Sequence, residues 1–393
     1  MERKRNKISL SRRVQNITPS ITLEITSKAK EMKEKGISVL GFGAGEPDFD
    51  TPENIKQAAR KAIDEGFTKY TPAAGTPELR KTVADEFKKD TTIDYDYSQI
   101  VVSCGAKHSL FNILQVILNE KDEVIIPSPY WLSYPEMVKM AGGVPVFVLC
   151  DESEDFQLRM KNLVKKITPR TKAIIINSPN NPTGCVLERK ILKEIAEFAI
   201  ENNIFVISDE IYNKIVYEGE SESILKICPE LKDLAIIVNG VSKSFSMTGW
   251  RIGYIAAPKP IASAISSYQS HSTSNPASIA QKAAYAALKG DREFINKMVK
   301  SFRDRRDYMF GRLSEIPGVS CVKPGGAFYV FPNVSGLGMK STDFAADLLE
   351  KAHVAVVPGA AFGWDTHIRL SYAASMEVIK KGLERIEKYI KSL

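Results

Sequence analysis

Apolar and polar residues follow a regular order through the middle of the chain, and that order predicts alternating helices and strands. Residues 52–65 repeat apolar side chains with a period near 3.6, which predicts an amphipathic helix that ends at Gly66. Short apolar runs bounded by turn residues predict strands. These runs lie at residues 100–103, 124–126, 144–149, 173–177, 204–208, 235–239 and 252–256, and a helical pattern directly follows the first of them.

Two of the predicted strands are apolar on both faces. Ile174-Ile175-Ile176 and Phe205-Val206-Ile207 are continuous apolar runs, whereas a strand with one face in water alternates apolar and polar side chains. Continuous runs are typical of a mostly parallel sheet that helices cover on both sides. The middle of the chain is therefore predicted to form a large α/β domain.

The C-terminal quarter has a different pattern. A long charged helix is predicted at 291–313, followed by short strands at 319–322, 327–331 and 367–371 and by a final amphipathic helix from Met376. A chain of 393 residues is also too long for one ordinary core. We predict two domains, the smaller of them α+β. Their limits are 1–48 for an N-terminal segment that joins the small domain, 49–295 for the large domain and 296–393 for the small C-terminal domain.

Charge adds little to this picture. The formal net charge is +7, and basic residues cluster near the N-terminus at Arg3, Lys4, Arg5, Lys7, Arg12, Arg13 and Lys28. Such an arm either contacts nucleic acid or is a solvated chain end. The other charges are well mixed, without a basic stripe interleaved with aromatic residues. We therefore expect a solvated end and no nucleic-acid partner.

Cysteine and histidine are too scattered to suggest disulfides or a metal site. The five cysteines have no Cys-x-x-Cys spacing, and the four histidines form no His-x-x-x-His pair. We therefore expect reduced thiols, no bound metal and a cytoplasmic location. No apolar segment follows the basic N-terminus and no apolar run reaches bilayer length, so we expect neither a secretory signal nor a membrane span.

Polar and glycine-rich segments follow several predicted strands, at the edge where open α/β sheets bind ligands. Gly105-Ala106 opens a helix after the first strand, and free N–H groups at a helix N-terminus can bind an anion. Segments 177–184, 208–212 and 238–253 follow three further strands, and the last contains a lysine, an arginine and several hydroxyl groups. Each segment alone could be an ordinary turn or a set of surface charges. Their joint occurrence favours a ligand site.

Taken in order, these segments resemble the class I aminotransferases of fold type I, most closely the aspartate aminotransferase branch of bacteria and archaea. The resemblance begins at residues 10–13 and covers nearly the whole chain. It implies a pyridoxal 5'-phosphate cofactor and the fold type I architecture, with a mostly parallel sheet in the large domain. The matching motifs are Gly45-Glu46-Pro47-Asp48-Phe49, Asn181-Pro182-x-Gly184, Ser208-Asp209-Glu210-x-Tyr212, Ser242-Lys243-x-Phe245-x-x-x-Gly249-x-Arg251-x-Gly253 and Arg369-Leu370-Ser371-Tyr372-Ala373.

The resemblance implies a role for each residue at the cofactor. Lys243 would carry pyridoxal phosphate as an internal Schiff base, and Asp209 would pair with the nitrogen of the pyridine ring. Asn181 and Tyr212 would hydrogen-bond the phenolic oxygen of the ring, and Trp131 would stack on its face. The phosphate would be bound by Gly105 and Ala106 through their backbone N–H groups, by Ser242 and Arg251, and by Tyr70 from the second subunit of a homodimer.

Other positions are implied to bind substrate. Arg369 would clamp the α-carboxylate, and Gly45 would let the backbone approach closely. Lys107 would recognise an acidic side chain. The remaining substrate contacts would come from Ser20, Thr22, Trp131 and Asn181. This set favours aspartate or glutamate as amino donor and a 2-oxo acid such as 2-oxoglutarate as acceptor, in a ping-pong reaction.

Alternatives remain for single residues and for the reaction. Four of the side chains could instead be packing residues or ordinary charges: Trp131, Tyr70, Arg369 and Lys107. The same fold also supports aromatic or broad-specificity aminotransferases, prephenate aminotransferases and β-lyases. Relatives that use prephenate usually carry a basic residue where this chain has Thr18, which argues against prephenate unless Arg12 or Arg13 replaces it. A cofactor-binding regulatory protein without catalysis is disfavoured, because the full set of reactive residues is present.

Overall fold

A computed structural model describes residues 9–219 and 221–393, apart from the side chains at positions 12, 13, 23 and 26. The basic residues Arg3, Lys4, Arg5 and Lys7 lie outside the described residues, as do the side chains of Arg12 and Arg13. None of the helices in the described part of the chain combines the length and the apolar composition that a bilayer crossing requires.

The described residues form fourteen α-helices and twelve strands. The helices are α1 (Arg12–Gln15), α2 (Ile21–Glu34), α3 (Glu53–Asp64), α4 (Pro77–Thr91), α5 (Ala106–Ile117), α6 (Ser133–Met140), α7 (Met160–Val164), α8 (Arg189–Asn202), α9 (Ile224–Ile227), α10 (Lys259–Ser270), α11 (Ser278–Lys289), α12 (Glu293–Ser314), α13 (Ser341–Ala352) and α14 (Met376–Ile390). The strands are β1 (Leu40–Gly41), β2 (Ile100–Ser103), β3 (Glu123–Ser128), β4 (Val144–Leu149), β5 (Thr171–Asn177), β6 (Phe205–Asp209), β7 (Ala235–Gly240), β8 (Gly253–Ala256), β9 (Tyr329–Val330), β10 (Val354–Ala355), β11 (Val357–Pro358) and β12 (Ile368–Ser371).

Seven of these strands form one sheet, in the spatial order β2-β8-β7-β6-β5-β3-β4. Strands β3 to β7 are parallel, and β8 runs antiparallel between β2 and β7. The register pairs Asn177 with Asp209 and Asp209 with Val238, so the ends of β5, β6 and β7 meet at one edge of the sheet. The prediction of an α/β fold with a mostly parallel sheet is confirmed.

The continuous apolar runs are buried on both faces of this sheet, as predicted. Ile174 and Ile176 pack with α3, α4, α8 and α11 on one face, whereas Ile175 packs with α5, α6 and α10 on the other. Because successive side chains of a strand point to opposite faces, one run of isoleucines serves both cores. All three are at most 1% exposed, and full burial contributes about 1.5–3 kcal/mol for each side chain.

The C-terminal helices and the smaller sheets form a second core. Phe302 of α12, Phe344 of α13 and Leu383 of α14 are buried together. Strands β11, β12 and β9 form an antiparallel sheet, and β1 pairs in parallel with β10. The N-terminal segment therefore lies against the C-terminal part through β1. The predicted limits of the two domains stay predictions.

Most of the predicted elements are observed within two residues of their predicted ends, but the strand predicted at 319–322 is wrong. In this segment Ser320 forms an isolated bridge with Asn333, and the chain then reaches Pro324, which lacks the N–H that a continued ladder needs. The strand predicted at 327–331 is shortened to β9. A positive φ of 55° at Ala327 interrupts the extended backbone there.

Candidate active site

A cavity of about 400 Å³ opens where β5, β6 and β7 end, and β9 and β12 supply its other wall. Ligands of open α/β sheets bind at this edge. Gly105 lies next to the cavity, whereas Tyr70 lies outside it and is 91% exposed. The cavity walls bring together these predicted site residues: Ser20, Thr22, Gly45, Ala106, Lys107, Trp131, Asn181, Asp209, Tyr212, Ser242, Lys243, Arg251 and Arg369.

The turn from β2 into α5 forms one end of the cavity. Gly105 is the N-cap of α5 with a φ of 91°, and a Cβ there would lie 2.5 Å from Arg251 Nη2. A Cβ on Gly253 would lie 2.1 Å from Ala106 N. Both positions therefore require glycine. The N–H groups that begin α5, the Ser242 hydroxyl and the Arg251 guanidinium suit an anion, and we call Gly105, Ala106, Ser242 and Arg251 the anion cradle.

Asp209 ends β6 and is 3% exposed. Tyr134 donates a hydrogen bond to its Oδ2 at 2.7 Å, and the Ile211 N–H donates to its Oδ1 at 3.2 Å. Burial raises the pKa of Asp209 to about 6, although these donors and Lys243 act to lower it. Because ionising a buried acid is costly without a cation, this carboxyl group suits a ligand that brings a positive charge.

Lys243 follows β7 and faces the same cavity. Its Nζ donates to the backbone oxygen of Gly45 at 2.5 Å. Burial lowers the pKa of Lys243 to about 8, Arg251 and Arg369 lower it as well, and Glu46 and Asp209 act in the opposite direction. An amine attacks an aldehyde only in its neutral form, so the lowered pKa prepares this lysine for covalent chemistry near neutral pH.

Arg369 on β12 is a deeply buried cation at the wall opposite the sheet. It is 2% exposed, and it donates to Asn181 Oδ1 at 2.9 Å and to the Gly43 oxygen at 2.7 Å. Its Nε is buried without a hydrogen-bond partner. In the described part of the chain no carboxylate forms an ion pair with this guanidinium, so it is suited to bind a carboxylate from a ligand.

Two asparagines connect the sheet to this arginine. Asn177 Nδ2 donates to the Asp209 backbone oxygen at 2.9 Å, and Asn177 Oδ1 accepts from the Asn181 N–H at 2.9 Å. Asn181 in turn accepts from Arg369. The end of β6 and the guanidinium on β12 are therefore joined by a short series of buried hydrogen bonds, which keeps both charged groups in fixed positions.

The open side of the cavity carries Lys107 and Trp131. Lys107 Nζ lies 4.9 Å from the centre of the Trp131 ring, within cation–π distance. Desolvation by the surrounding walls lowers the pKa of Lys107, and Arg251 lowers it further. Ser20 and Thr22 line the cavity as well. This wall therefore offers a cation and hydroxyl groups to a polar ligand.

The family model of the aminotransferases of class I and II matches residues 37–386. The chain belongs to the class I and II aminotransferases. Relatives of this aminotransferase include the aspartate aminotransferase of Geobacillus stearothermophilus, which is 50% identical over 98% of the chain and 100% of the relative. The probable aspartate/prephenate aminotransferase of Aquifex aeolicus is 50% identical over 98% and 99%. The solved structure of aspartate aminotransferase from Thermus thermophilus with maleate has a TM-score of 0.94 and 44% identity, covering 97% of this chain and 100% of that chain.

Aminotransferases of this family use pyridoxal phosphate, and three features of the cavity fit that cofactor. The anion cradle suits its phosphate. Lys243, with its lowered pKa, suits its aldehyde, and the buried carboxyl group of Asp209 suits its ring nitrogen. The two glycines whose Cβ atoms would collide with Arg251 and Ala106 show that the cradle is shaped by backbone as well as by charge.

The aminotransferase site also contains residues that the sequence did not single out. Tyr134 donates a hydrogen bond to Asp209, and Asn177 joins the Asp209 backbone to Asn181. Tyr329 Oη lies 2.9 Å from Tyr212 Oη. Asn177 could have been found, because it is the last residue of a predicted strand. Tyr134 lies in the first turn of a helix and Tyr329 in a short strand of the second core, and neither position carries a sequence signal.

Proposed function

We propose that this aminotransferase transfers the amino group of L-aspartate or L-glutamate to a 2-oxo acid. In the balanced reaction, L-aspartate and 2-oxoglutarate give oxaloacetate and L-glutamate. The observation that carries the proposal is the convergence of Lys243, Asp209 and Arg369 on one cavity. The amine of lowered pKa and the buried acid suit the cofactor. The buried cation, which pairs with no carboxylate among the described residues, suits an amino acid.

The arrangement of the site supports an assignment of residues to the cofactor. The anion cradle binds the phosphate, and Asp209, oriented by Tyr134, pairs with the ring nitrogen. Asn181 and Tyr212 would bind the phenolic oxygen, and Trp131 would cover one face of the ring. When bound, pyridoxal phosphate supplies an electron sink that stabilises negative charge at Cα of the amino acid.

Lys243 has two tasks in the proposed reaction. It would hold the cofactor covalently through Nζ, and as a neutral amine Nζ would accept the proton that leaves Cα of the amino acid and return it later in the same half-reaction. Its pKa of about 8 suits both tasks, because the group can lose and regain a proton near neutral pH. Asp209 would keep the ring nitrogen protonated.

Arg369 binds the α-carboxylate of the amino acid. A planar guanidinium matches a carboxylate in a bidentate arrangement, and its two present contacts are neutral oxygens. Because the α-carboxylates of donor and acceptor would both bind Arg369, the two substrates would occupy the cavity in succession, which supports a ping-pong order. Gly45 lets the backbone approach the bound substrate closely, at a position where a Cβ would lie 3.1 Å from Tyr329 Oη.

Lys107, with Ser20 and Thr22, binds the second carboxylate of the substrate. The lysine faces the cavity from its open side, and its charge complements an acidic side chain. The likeness to the Thermus thermophilus enzyme with maleate supports this choice, since maleate is a four-carbon dicarboxylate. A dicarboxylic donor and acceptor would then be held at both ends.

Prephenate is a second candidate acceptor, because two of the relatives are named aspartate/prephenate aminotransferases. The resemblance implies a basic residue at the position of Thr18 in enzymes that use prephenate, and here the Thr18 backbone N–H donates to Glu136 Oε2 at 3.1 Å. A neutral residue held against a carboxylate is a poor partner for the additional carboxylate of prephenate. We therefore rank this substrate below the dicarboxylic 2-oxo acids.

The proposed enzyme is a cytoplasmic homodimer with shared active sites. All five cysteines are free, which suits a reducing compartment. Tyr70 is 91% exposed, an unusual degree for a large aromatic side chain. The proposed partner for that ring is the anion cradle of a second copy, where the phenol reaches the phosphate.

The test of the function is covalent trapping followed by a donor panel. Purified protein is incubated with pyridoxal phosphate, reduced with borohydride and digested, and mass spectrometry locates the modified lysine. Modification of Lys243, together with transfer from aspartate and glutamate to 2-oxoglutarate, is the expected outcome. Protein that remains unmodified at position 243 would reject the proposal.

A further inference from the structure

A single buried side chain, Gln269, joins three segments near the phosphate end of the site. It lies in the last turn of α10 and has no exposed surface. Its Nε2 donates to Ala73 O at 2.6 Å and to Val102 O at 2.9 Å. Its Oε1 accepts from Ser103 Oγ at 2.7 Å and from Asn112 Nδ2 at 3.0 Å. The amide therefore uses all four of its hydrogen-bonding positions.

The acceptor side of this amide fixes the approach to the anion cradle. Ser103 ends β2 and lies two residues before Gly105, and Asn112 lies in α5, the helix whose first N–H groups belong to the cradle. Both donors are completely buried. A shift of the amide would therefore move or unpair the strand and the helix that flank the cradle.

The donor side of Gln269 fixes the loop that carries Tyr70. Residues 69–76, which we call the Tyr70 arm, accept the bond from Gln269 at Ala73 O. A second buried amide, Gln281, accepts from the Thr76 N–H at 2.9 Å and donates to Thr71 Oγ1 at 2.9 Å. The arm is thus held from inside the protein although the ring at its tip is exposed, which is the arrangement expected of a segment that reaches another molecule.

We propose that Gln269 is a positioning residue for the phosphate end of two active sites. Through Ser103 and Asn112 it sets the cradle of its own subunit, and through Ala73 it sets the arm that reaches the cradle of a second subunit. This inference rests on the proposed function. The chemistry requires an amide, because glutamate cannot donate to the two carbonyl oxygens and methionine can neither donate to them nor accept comparably.

Cofactor affinity measured with and without the phosphate tests this role. Apoprotein carrying Gln269→Met is titrated with pyridoxal phosphate and with pyridoxal, and the absorbance of the lysine-bound form is followed. We expect the dissociation constant for pyridoxal phosphate to rise about tenfold and that for pyridoxal to change less than about twofold. Equal weakening of both, or no change, would overturn the proposal.

The matched control is Gln157→Met, another buried amide, which bonds Val186 O and the Glu188 N–H away from the cradle. It should leave the ratio of the two affinities unchanged; a ratio altered as in Gln269→Met would also overturn the proposal.

If Gln269→Met does not fold, Ser103→Ala is the second variant, because it removes one of the hydrogen bonds of Gln269. That variant should change the ratio in the same direction by a smaller factor, and an unchanged ratio would count against the proposal.

A hybrid dimer separates the cradle from the arm. One subunit carries Lys243→Ala and Gln269→Met, and the other subunit is unchanged. Only the unchanged subunit can then bind the cofactor covalently. Its site combines its own unaltered cradle with the Tyr70 arm of the altered subunit. This hybrid should bind pyridoxal phosphate more weakly than a hybrid in which one subunit carries Lys243→Ala alone. Equal affinities of the two hybrids would overturn the proposal that Gln269 positions the Tyr70 arm. Unchanged protein that fails to attach the cofactor at Lys243, or that sediments as a monomer, would instead reject the proposed function.

Discussion

The two walls of the cavity hold opposite charges in different ways. Asp209, at the sheet, receives two hydrogen bonds, yet burial raises its pKa to about 6, so its charge depends on what the ligand brings. Arg369, on the second core, is also buried, and burial lowers its pKa, but a guanidinium stays charged at any physiological pH. The charge of Asp209 therefore changes with its surroundings, whereas the charge of Arg369 is permanent.

This difference matches the two proposed ligands. A cofactor that stays bound can share a proton with an adjustable acid, and the pair is tuned by neighbours such as Tyr134. A substrate that arrives and leaves in each half-reaction meets a cation that is always charged and that lies 4.5 Å from the centre of the Tyr329 ring. In this proposal Arg369 provides affinity for the substrate, and Asp209 tunes the reactivity of the cofactor.

The largest expected effect belongs to the residue between the two walls. Lys243→Ala removes both the covalent attachment and the proton transfer at Cα, so turnover should fall by at least about 10⁴-fold. Stopped-flow absorbance and steady-state assays measure the two losses. Lys282→Ala, a lysine outside the cavity that pairs with Glu78, should behave as the unchanged enzyme. Turnover retained by Lys243→Ala would show that another base performs the reaction.

Removing the permanent charge should act mainly on substrate binding. Arg369→Gln should raise KM for every amino acid and 2-oxo acid by at least about thirtyfold, because the carboxylate loses a desolvated, charged partner. Arg305→Gln is the control, since Arg305 is also largely buried but already pairs with Asp48 at 2.7 Å. Kinetics with several donors would contradict this view if Arg369→Gln changed kcat alone.

A smaller and more selective effect is expected at the open side. Lys107→Ala should raise KM for aspartate and 2-oxoglutarate about tenfold, the loss expected for a charged hydrogen bond, and leave neutral amino donors nearly unaffected. The neutral donors serve as the internal control in the same assay. An equal rise in KM for acidic and neutral donors would show that Lys107 does not determine the specificity for an acidic side chain.

The smallest effect should come from tuning the acid. In the protein without cofactor, Asp209 holds a proton more tightly than the unfolded chain does, so its contribution to stability falls as pH rises from 3.8 to about 6. Tyr134→Phe removes a donor that lowers this pKa, so the fall should extend to higher pH, with a loss of about 1 kcal/mol from the missing bond. Denaturant unfolding at a series of pH values measures both changes. Asp209→Asn should abolish the dependence, and an unchanged pH range in Tyr134→Phe would contradict the assignment.

The sheet wall was largely predictable from the sequence. Apolar runs such as Ile174-Ile175-Ile176 locate the strands, and the carboxyl ends of parallel strands meet at one edge. The resemblance then pointed to Lys243 and Asp209, which the structure places in the same cavity. The false strand at 319–322 shows the limit of local pattern, because an apolar segment beside a proline can pack without joining a sheet.

The contacts of the opposite wall were much harder to predict from the sequence. Arg369 bonds Asn181 across 188 positions, and Tyr329 meets Tyr212 across 117, and no local period encodes which side chains of two cores will touch. Gln269 is a further case, since its neighbours Ala73, Ser103 and Asn112 come from three separate segments. Their contacts depend on how the helices pack around the sheet.

The sequence by itself determined where the strands and helices lie, that the strands form a covered sheet, and which lysine, acid and glycines follow the strand ends. Periodicity and turn chemistry are local, so these features can be inferred residue by residue. Only the tertiary structure decided that Arg369 is buried without an ion pair to any described residue, that Tyr134 bonds Asp209, and that the Gln269 amide bonds the Tyr70 arm together with the strand and helix that flank the cradle. Burial and long-range hydrogen bonding set those properties, and both arise only when distant segments pack together.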